Sequence, residues 1–365
     1  MSRDVKVRLG YALVSLSAVS ALSPRAVDEP PTARVGRNTA ILLALVLVLL
    51  IVMLASIALG SRPIALGAVW DAFTGMDPTS NDHLVVRDQR VPRTLVGLMV
   101  GVSLGVGGAV MQGLTRNPLA DPGLLGVDAG ASLFVVLGIG YLGAVAAGQY
   151  VWFALFGAAV ASLAVYAIGA SGREGVTPVK LALAGAALSA AFTSVVTALL
   201  LLDPKTFDNY RFWVVGSLSG RDMHTLLVVL PFLVVGLILA LALGRFLNAL
   251  ALGDDVARGL GQRVGAARGL GAVVIVLLCG GATAVAGPIS FVGLTVPHVA
   301  RIFVGADHRW ILAYSAVLGA ILILAADTVG RVVARPGEIE VGIITALIGA
   351  PVFIFLVRRS RMAQL

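Results

Sequence analysis

Side chains able to do chemistry are few in this 365-residue chain, and their spacing does not suit catalysis. Four histidines, His83, His224, His298 and His308, are scattered, with no H-E-x-x-H or other paired spacing to hold a metal. The single cysteine, Cys279, lies in an apolar run, which excludes an intrachain disulfide and a Cys-based metal cage. The lysines are Lys6, Lys180 and Lys205, and none follows a glycine, so the chain lacks the G-x-x-x-x-G-K-[ST] loop that cradles nucleotide phosphates. Asp128 stands near the start of an apolar run and Asp327 near the end of another, while mid-run charge is nearly absent. A proton-driven transporter usually buries ionisable groups mid-membrane, and this chain has almost none to offer. No catalytic residue, metal ligand or cofactor is therefore assigned to it.

Polar pattern is concentrated in a few places. Gln112–Gly123 reads QGLTRNPLADPG, where Asn117, Pro118 and Pro122 force a compact turn. Leu247–Gly261 reads LNALALGDDVARGLG, which predicts two short helices divided at Gly253, with Asp254 placed to cap the second. One run carries Gly185, Ser189, Thr193 and Thr197 at four-residue spacing, within a sector of about 120° on a helix. Its hydroxyls either hydrate a solute path or bond their own i−4 carbonyls, and the sequence leaves both open. A parallel case is Gly342, Thr345 and Gly349. Gly97, Gly101 and Gly105 are read as a packing stripe that lets helix backbones approach closely, with a pore wall as the alternative.

The elements that must position these residues follow from composition. Hydrophobic residues make up 58% and charged residues 13%, against about 45–50% and about 25% in soluble domains; mean hydropathy is +0.97. A soluble enzyme, a disordered tail and a disulfide scaffold are excluded. The net charge of +8 fits Lys/Arg in loops facing anionic lipid rather than a nucleic-acid partner. A bilayer core takes about 20 apolar residues in a helix. Ten runs qualify: Thr39–Leu59, Thr94–Leu114, Leu124–Ala144, Tyr150–Gly169, Val179–Leu201, Thr225–Phe246, Gly269–Ala286, Ile289–Phe303, Trp310–Val329 and Glu340–Val357. The seventh and eighth are divided only by Gly287 and Pro288, so a helix, a break and a half-helix would read the same way. With the N-terminus cytoplasmic, that side holds 18 of the 27 Lys and Arg, in line with the positive-inside rule and with both ends inside. The expected fold is an all-α polytopic membrane protein of about ten transmembrane helices. Residues 1–38 are read as a cytoplasmic tail along the membrane surface, 39–357 as the membrane domain and 358–365 as a short cytoplasmic tail. A signal peptide is the alternative for the leader, but Ala21, Leu22, Ser23 and Pro24 make a poor cleavage site.

Asp255, Val256, Ala257 and Gly261 have the E-A-A-x-x-x-G spacing of the loop by which ABC importer membrane subunits grip their ATPase, with Asp for Glu and Val for the first Ala. With RVPRT from Arg90 to Thr94, RNPLADP within Gln112–Gly126, FWVVGSLSG from Phe212, GPISFVGLTVPHVAR from Gly287 and PGEIEVGIITALIGAP from Pro336, the chain resembles a FecCD-type permease over about residues 40–360. These are the membrane subunits of type II ABC importers for iron-siderophores, haem and cobalamin.

The resemblance implies ten helices in the bacterial plasma (inner) membrane. It also implies a second permease subunit, identical or paralogous, two ABC ATPases carrying the ATP and Mg, and an extracytoplasmic binding protein. Gly253, Asp254, Asp255, Ala257, Arg258, Leu260 and Gly261 are then the ATPase-coupling residues. Arg90, Arg93 and Arg331 are the docking positions for acidic residues of the binding protein. For Arg93 interfacial snorkelling remains an alternative, and for Arg331 a helix ion pair with Asp327 four residues earlier. Thr177 and Pro178 match the cytoplasmic gate region, while Ser189, Thr193, Thr197 and Thr345 are candidates for the translocation path. Iron(III)-siderophore is the expected substrate, moved by alternating access, with cobalamin or haem as alternatives. A secondary transporter or channel without an ATPase, and a membrane-embedded enzyme, are the readings of other classes.

Overall fold

The computed structural model describes residues 31–144, 147–171 and 177–362. Most of the leader read over residues 1–38 lies outside them. The described residues divide into two units between Ala44 and Leu45. Residues 31–44 of the first unit form the opening of helix α1 (Pro31–Ala58), where the Thr39 hydroxyl donates to the Val35 carbonyl at 2.9 Å. The boundary expected at 38/39 therefore falls inside a helix.

All regular structure among the described residues is helical. After α1 come α2 (Leu66–Thr74), α3 (Asn81–Thr115), α4 (Val127–Leu142), α5 (Ala147–Ala170), α6 (Pro178–Leu202) and α7 (Pro204–Val214). They are followed by α8 (Met223–Ala251), α9 (Asp254–Gly259), α10 (Val264–Ala286), α11 (Val292–Val304), α12 (His308–Val333) and α13 (Val341–Met362). Seven of them, α1, α3, α5, α6, α8, α10 and α12, are long and apolar enough to cross a membrane; α4, α11 and the apolar part of α13 are shorter.

Helix α3 is the most buried of the long spans, because its glycines admit other backbones. A Cβ on Gly101 would lie 2.5 Å from the Gly319 carbonyl oxygen of α12; one on Gly105 would strike the Ser315 carbonyl, and one on Gly108 the Gly293 carbonyl of α11. The small-residue stripe thus packs helices together, as its spacing suggests. Helix α3 also starts well before the expected Thr94. Its first turns include a π-helical stretch, Val85–Arg90, whose charges resemble a loop in sequence.

The expected break between the seventh and eighth runs takes the form of a full helix followed by a short one. Gly287 at φ +75° ends α10, and its missing side chain admits the Trp213 carbonyl. Phe291, at φ +69°, starts α11. Within α11, Pro297 has no N–H for the carbonyl of Gly293 four residues earlier. The Gln112 amide supplies the donor instead, at 3.3 Å to Gly293 O and 3.1 Å to Leu294 O.

The QGLTRNPLADPG turn does more than reverse the chain. Asn117 accepts from the Leu119 N–H at 2.9 Å, and Asp121 caps the short Pro122–Leu125 turn through the Gly123 N–H at 2.8 Å. This carries the start of α4 in between its neighbours: Gly126 faces Ala161 and Val165 of α5, and Gly185 of α6 makes room for the Leu124 carbonyl. Helix α4 is short because it begins there. Asp128 in its first turn, bonded by the Thr283 hydroxyl at 2.8 Å, therefore sits deeper among the helices than its place at a run boundary suggests.

The expectation of two short helices over Leu247–Gly261 is corrected. Leu247–Ala251 is the end of α8, because Leu247 and Leu250 continue its buried face. Gly253, at φ +109°, supplies the break. Asp254 does not cap α9: Gly253 occupies that position without a side-chain bond, and the Asp254 carboxylate turns to two arginines.

Replacing Gly101 by Val should destabilise the chain by about 1–3 kcal/mol or prevent folding, since a backbone, not a movable side chain, occupies the space. Gly67→Ala, with nothing within 4 Å of the new Cβ, should leave the thermal unfolding midpoint of the purified chain unchanged. Equal midpoints for both variants would refute the packing role of the stripe.

Candidate functional site

Two clusters of charge lie at opposite ends of α3. At its N-terminal end, helix α1 stops at Ala58 and leaves its last carbonyls without helical donors. Arginines fill that need. Arg90 donates to Ile57 O (3.0 Å), Ala58 O (2.7 Å) and Arg62 O (2.5 Å). Arg331 donates to Ser56 O (3.1 Å) and Leu59 O (3.0 Å), and to the Ser56 hydroxyl (2.9 Å). Arg335 reaches Gly60 O at 3.0 Å. Positive charge at a helix C-terminus also suits its dipole.

The countercharge comes from Asp327, 1% exposed, which binds Arg93 through Nη2 at 2.8 Å and Nε at 3.1 Å and lies 3.0 Å from Arg331 Nε. Arg93 Nη1 also donates to Glu338 at 2.7 Å. Arg93 therefore points inward to two carboxylates and does not snorkel, and Arg331 makes the helix ion pair as well as the cap. The structure brings Arg90, Arg93 and Arg331 to one cleft of about 140 Å³, bordered also by Arg62, Gln89 and Glu338. All three arginines are buried, with only their edges turned to that cleft. Partial burial opposes charge on Glu338, yet bonds from Arg93 and Ser61 and the nearby Arg331 charge outweigh it, holding its carboxyl below the ordinary range.

At the other end of α3, Arg116 closes the helix in the left-handed region at φ 51°. Its guanidinium lies 3.3 Å from Asp254, which also takes Arg268 of α10 at 3.0 Å. Asp254 thus fastens α9 to α3 and α10. Ala257 is buried beneath the same helix, and Gly253 backs onto Arg116. Asp255, Arg258, Leu260 and Gly261 are exposed, with Asp255 and Arg258 paired at 2.9 Å. The seven coupling candidates therefore divide into three that hold the loop and four that a partner can touch. Nearby, Asn248 donates to Asp307 at 2.7 Å and accepts from the His308 N–H at 2.7 Å, tying α8 to α12. Gln112 accepts from Arg301 while serving the α11 carbonyls.

The path candidates are dispersed. Thr193 and Thr197 are exposed on α6, and the Thr197 hydroxyl bonds the Thr193 carbonyl at 2.9 Å, the back-bonded form. Ser189 is half-buried opposite Gly126. Thr345 is buried, bonds Gly342 O at 3.1 Å and borders an apolar cavity of about 310 Å³ among α11, α12 and α13. Thr177 caps α6 through the Lys180 N–H at 3.4 Å, and Pro178 takes the first helical position. Gln112, Asn248 and Asp327 were not singled out as site residues; the usable signal for Gln112 was Pro297 lying four residues after Gly293. Among the described residues no group of His, Cys, Asp and Glu could hold a metal.

A family model described as the FecCD transport family matches residues 47–359. The chain is 48% identical over 317 residues to the ferric enterobactin transport system permease protein FepD of Escherichia coli (strain K12), covering 87% of this chain and 94% of that one. It is 44% identical over 320 residues to a siderophore transport system permease protein, YfiZ, of Bacillus subtilis (strain 168), covering 88% and 96%. To the hemin transport system permease protein HmuU of Yersinia pestis it is 36% identical over 329 residues, 88% and 96% of the two chains. Its fold is similar to that of a solved inward-facing metal-chelate type ABC transporter, with TM-score 0.78, 28% identity and coverage of 88% and 99%.

Two outcomes follow from the charge clusters. Asp254→Asn should lower stability by about 1–3 kcal/mol by stripping two arginines of their carboxylate, whereas Asp255→Asn, whose side chain is 98% exposed, should change it by less than about 0.5 kcal/mol. A depressed folded pKa means that the Glu338 contribution is complete above its ordinary carboxylate range and lost as pH falls through the folded value. The acid-side drop in unfolding midpoint should therefore be shallower in Glu338→Gln than in the parent. A parallel drop in both proteins would remove Glu338 from the account.

Proposed function

The chain belongs to the FecCD transport family, and on that premise we propose that it is the membrane-spanning permease subunit of an ATP-driven ABC importer for an iron(III)-siderophore. The family match across the membrane domain carries the reading. The siderophore, hydroxamate, citrate and haem systems named for its relatives support the substrate class, with iron chelates foremost. A permease of this family does no covalent chemistry; ATP and its Mg belong to a partner ATPase.

In this reading the seven long helices and the three shorter apolar ones make ten spans of a bacterial inner-membrane protein. Both termini face the cytoplasm, as the 18-to-9 division of Lys and Arg favours. The Asp254 end is then cytoplasmic. The exposed Asp255, Arg258, Leu260 and Gly261 meet the ATPase, and Gly253, Asp254 and Ala257 pass its displacement to α3 and α10. The Arg93 end faces outward, where a loaded binding protein docks. Rim charges there steer the encounter and fix register, and Arg90, Arg93 and Arg331 shape the platform from beneath.

Substrate passes between this chain and a second permease, identical or paralogous. Helix α6 supports that geometry, since only 11% of its most apolar stretch is buried within the chain. Ser189, Thr193 and Thr197 on α6 and Thr345 on α13 line the path in this account, with the Thr177–Pro178 cap of α6 at the gate. The pair α3 and α12 stays fixed while α6 and α13 move.

Cells lacking the gene should lose uptake of labelled ferric siderophore and keep that of labelled cobalamin; the reverse pattern would keep the architecture and overturn the substrate. Leu260→Ala combined with Arg258→Glu should cut ATP-driven uptake at least about tenfold in a permease that still folds. Undiminished uptake in that variant would instead indicate a transporter that works without an ATPase.

A further inference from the structure

A second polar cleft lies at the Arg93 end, apart from the docking cluster. It has a volume of about 340 Å³, and its polar lining includes Tyr150, Asn209, Trp213, Ser217, Arg221 and Glu340. Arg221 is 9% exposed, and its partners are neutral: the Tyr150 hydroxyl, the Ser217 carbonyl at 3.5 Å from Nε, and the Tyr150 ring with its centroid 5.6 Å away. Trp213 is 2% exposed, and its indole Nε1 has no hydrogen-bond partner among the described residues. Glu340 lines the same cleft with Oε2 buried and likewise without a partner. No ion pair joins Arg221 to Glu340 among the described residues, so a cation and an anion share one small cleft without meeting.

Backbone bonds fix the segments that carry these side chains. The Trp213 carbonyl accepts from the Gly216 N–H at 3.2 Å and sits where a Cβ of Gly287 would be. The Ser217 N–H bonds Ala286 O at 2.7 Å, its hydroxyl oxygen takes the Ser219 N–H at 2.9 Å, and the Gly342 N–H bonds Gly216 O at 3.0 Å beside Glu340. Thus the start of α13, the turn after α7 and the end of α10 fix the donors on one side and the carboxylate on the other. Water can satisfy an indole N–H and a carboxylate oxygen, but it does not neutralise a buried guanidinium. A ligand complementary to all three carries an anionic acceptor and a hydroxyl donor close together.

We propose that this cleft binds a hydroxycarboxylate group, its carboxylate accepting from Arg221 and the Trp213 indole and its hydroxyl donating to Glu340, and that the group arrives on the transported chelate as one that does not ligate the metal and so keeps its hydroxyl proton. The identity of the carrier rests on the importer reading; the complementarity of the cleft does not. Selection in such a system then occurs partly on the permease, after release from the binding protein. A hydroxyl-accepting carboxylate penalises a ligand that lacks the hydroxyl, because Glu340 would face it unpaired.

The test uses the complete permease–ATPase complex in nanodiscs, titrated calorimetrically with metal-free citrate and with tricarballylate, which is citrate without its hydroxyl. The complex should bind citrate saturably and tricarballylate at least about tenfold more weakly. Arg221→Gln should weaken citrate by a similar factor. Glu340→Gln, which keeps size but leaves only a neutral, weaker acceptor, should narrow the difference between the two acids. Absence of saturable citrate binding in the parent, or unchanged binding in Arg221→Gln, overturns the proposal. A second arm measures binding-protein docking on the same variants. If Arg221→Gln weakens docking and leaves the citrate titration unchanged, the cleft receives a protein carboxylate and the proposal fails. If citrate binding responds as expected while no ferric chelate is taken up by cells, the site stands and the importer reading falls.

Discussion

Close approach of backbones to α3 is the constraint on which the rest of this structure depends. Lipid tails are as apolar as leucine, so burial alone gives helices little reason to associate within a bilayer, and association must come from contact. Gly101, Gly105 and Gly108 bring the carbonyls of Gly319, Ser315 and Gly293 against α3. This sets α12 along its length and places the start of the short α11 two turns before its C-terminal end. Once α11 begins there, its Pro297 leaves a carbonyl to be satisfied from outside, and α3 supplies Gln112 one turn beyond Gly108. The turn that follows α3 then has to enter the same level, which gives α4 its late start. Short helices, broken helices and buried polar bonds thus all trace back to one crowded stripe.

The same helix explains why the charges fall where they do. Helices α3 and α12 pack along their length. Arg93 of the one meets Asp327 of the other across a buried interface, and the Arg116 cap of α3 meets Asp254. A buried carboxylate facing two guanidiniums is costly to form and more costly to break. Both ends of α3 are consequently pinned, one against α1 and α12, the other against α9 and α10.

Much of this was legible in sequence, with losses of a particular kind. The apolar runs located the helices because their length scale is set by the bilayer, and the four-residue glycine spacing stated its purpose through its period. The Asp327–Arg331 pair was readable from i,i+4 spacing. What escaped was everything fixed by two distant segments together. Asp254 reads as a cap in its local context and becomes an ion-pair partner only when Arg116 and Arg268 arrive. Arg90 and Arg331 read as surface charges, and burial follows from the orphan carbonyls of α1, which no local pattern reveals. The early start of α3 was hidden by Asp82, Arg87, Asp88 and Arg90, which resemble a loop until the Arg62–Asp82 pair and the capping of α1 are seen. Helix α7 was missed for a related reason: its polar surface gives no membrane signal, and its packing depends on Gly287 and Gly216 elsewhere.

The distribution of packing also bears on where motion can occur. Elements held by backbone contact have few alternative arrangements, because carbonyls seated against glycines leave no slack. By that criterion α3, α11 and α12 form a fixed body. Helix α6 is different: its contacts cluster in its first half, at Leu181, Gly185 and Ser189, and beyond them it exposes Thr193, Val195, Thr197, Leu201 and Leu202. Helix α13 is held on one face, where Gly342 meets Gly216 and Gly349 admits Phe291, while its other face is exposed at Leu347 and, further on, at Ile354. Helix α6 therefore has a held part and a freer length, the geometry of a lever rather than of a sliding rod. In the proposed importer, a displacement entering at α9 would reach that body through Asp254, leaving relative movement to the helices it does not clasp.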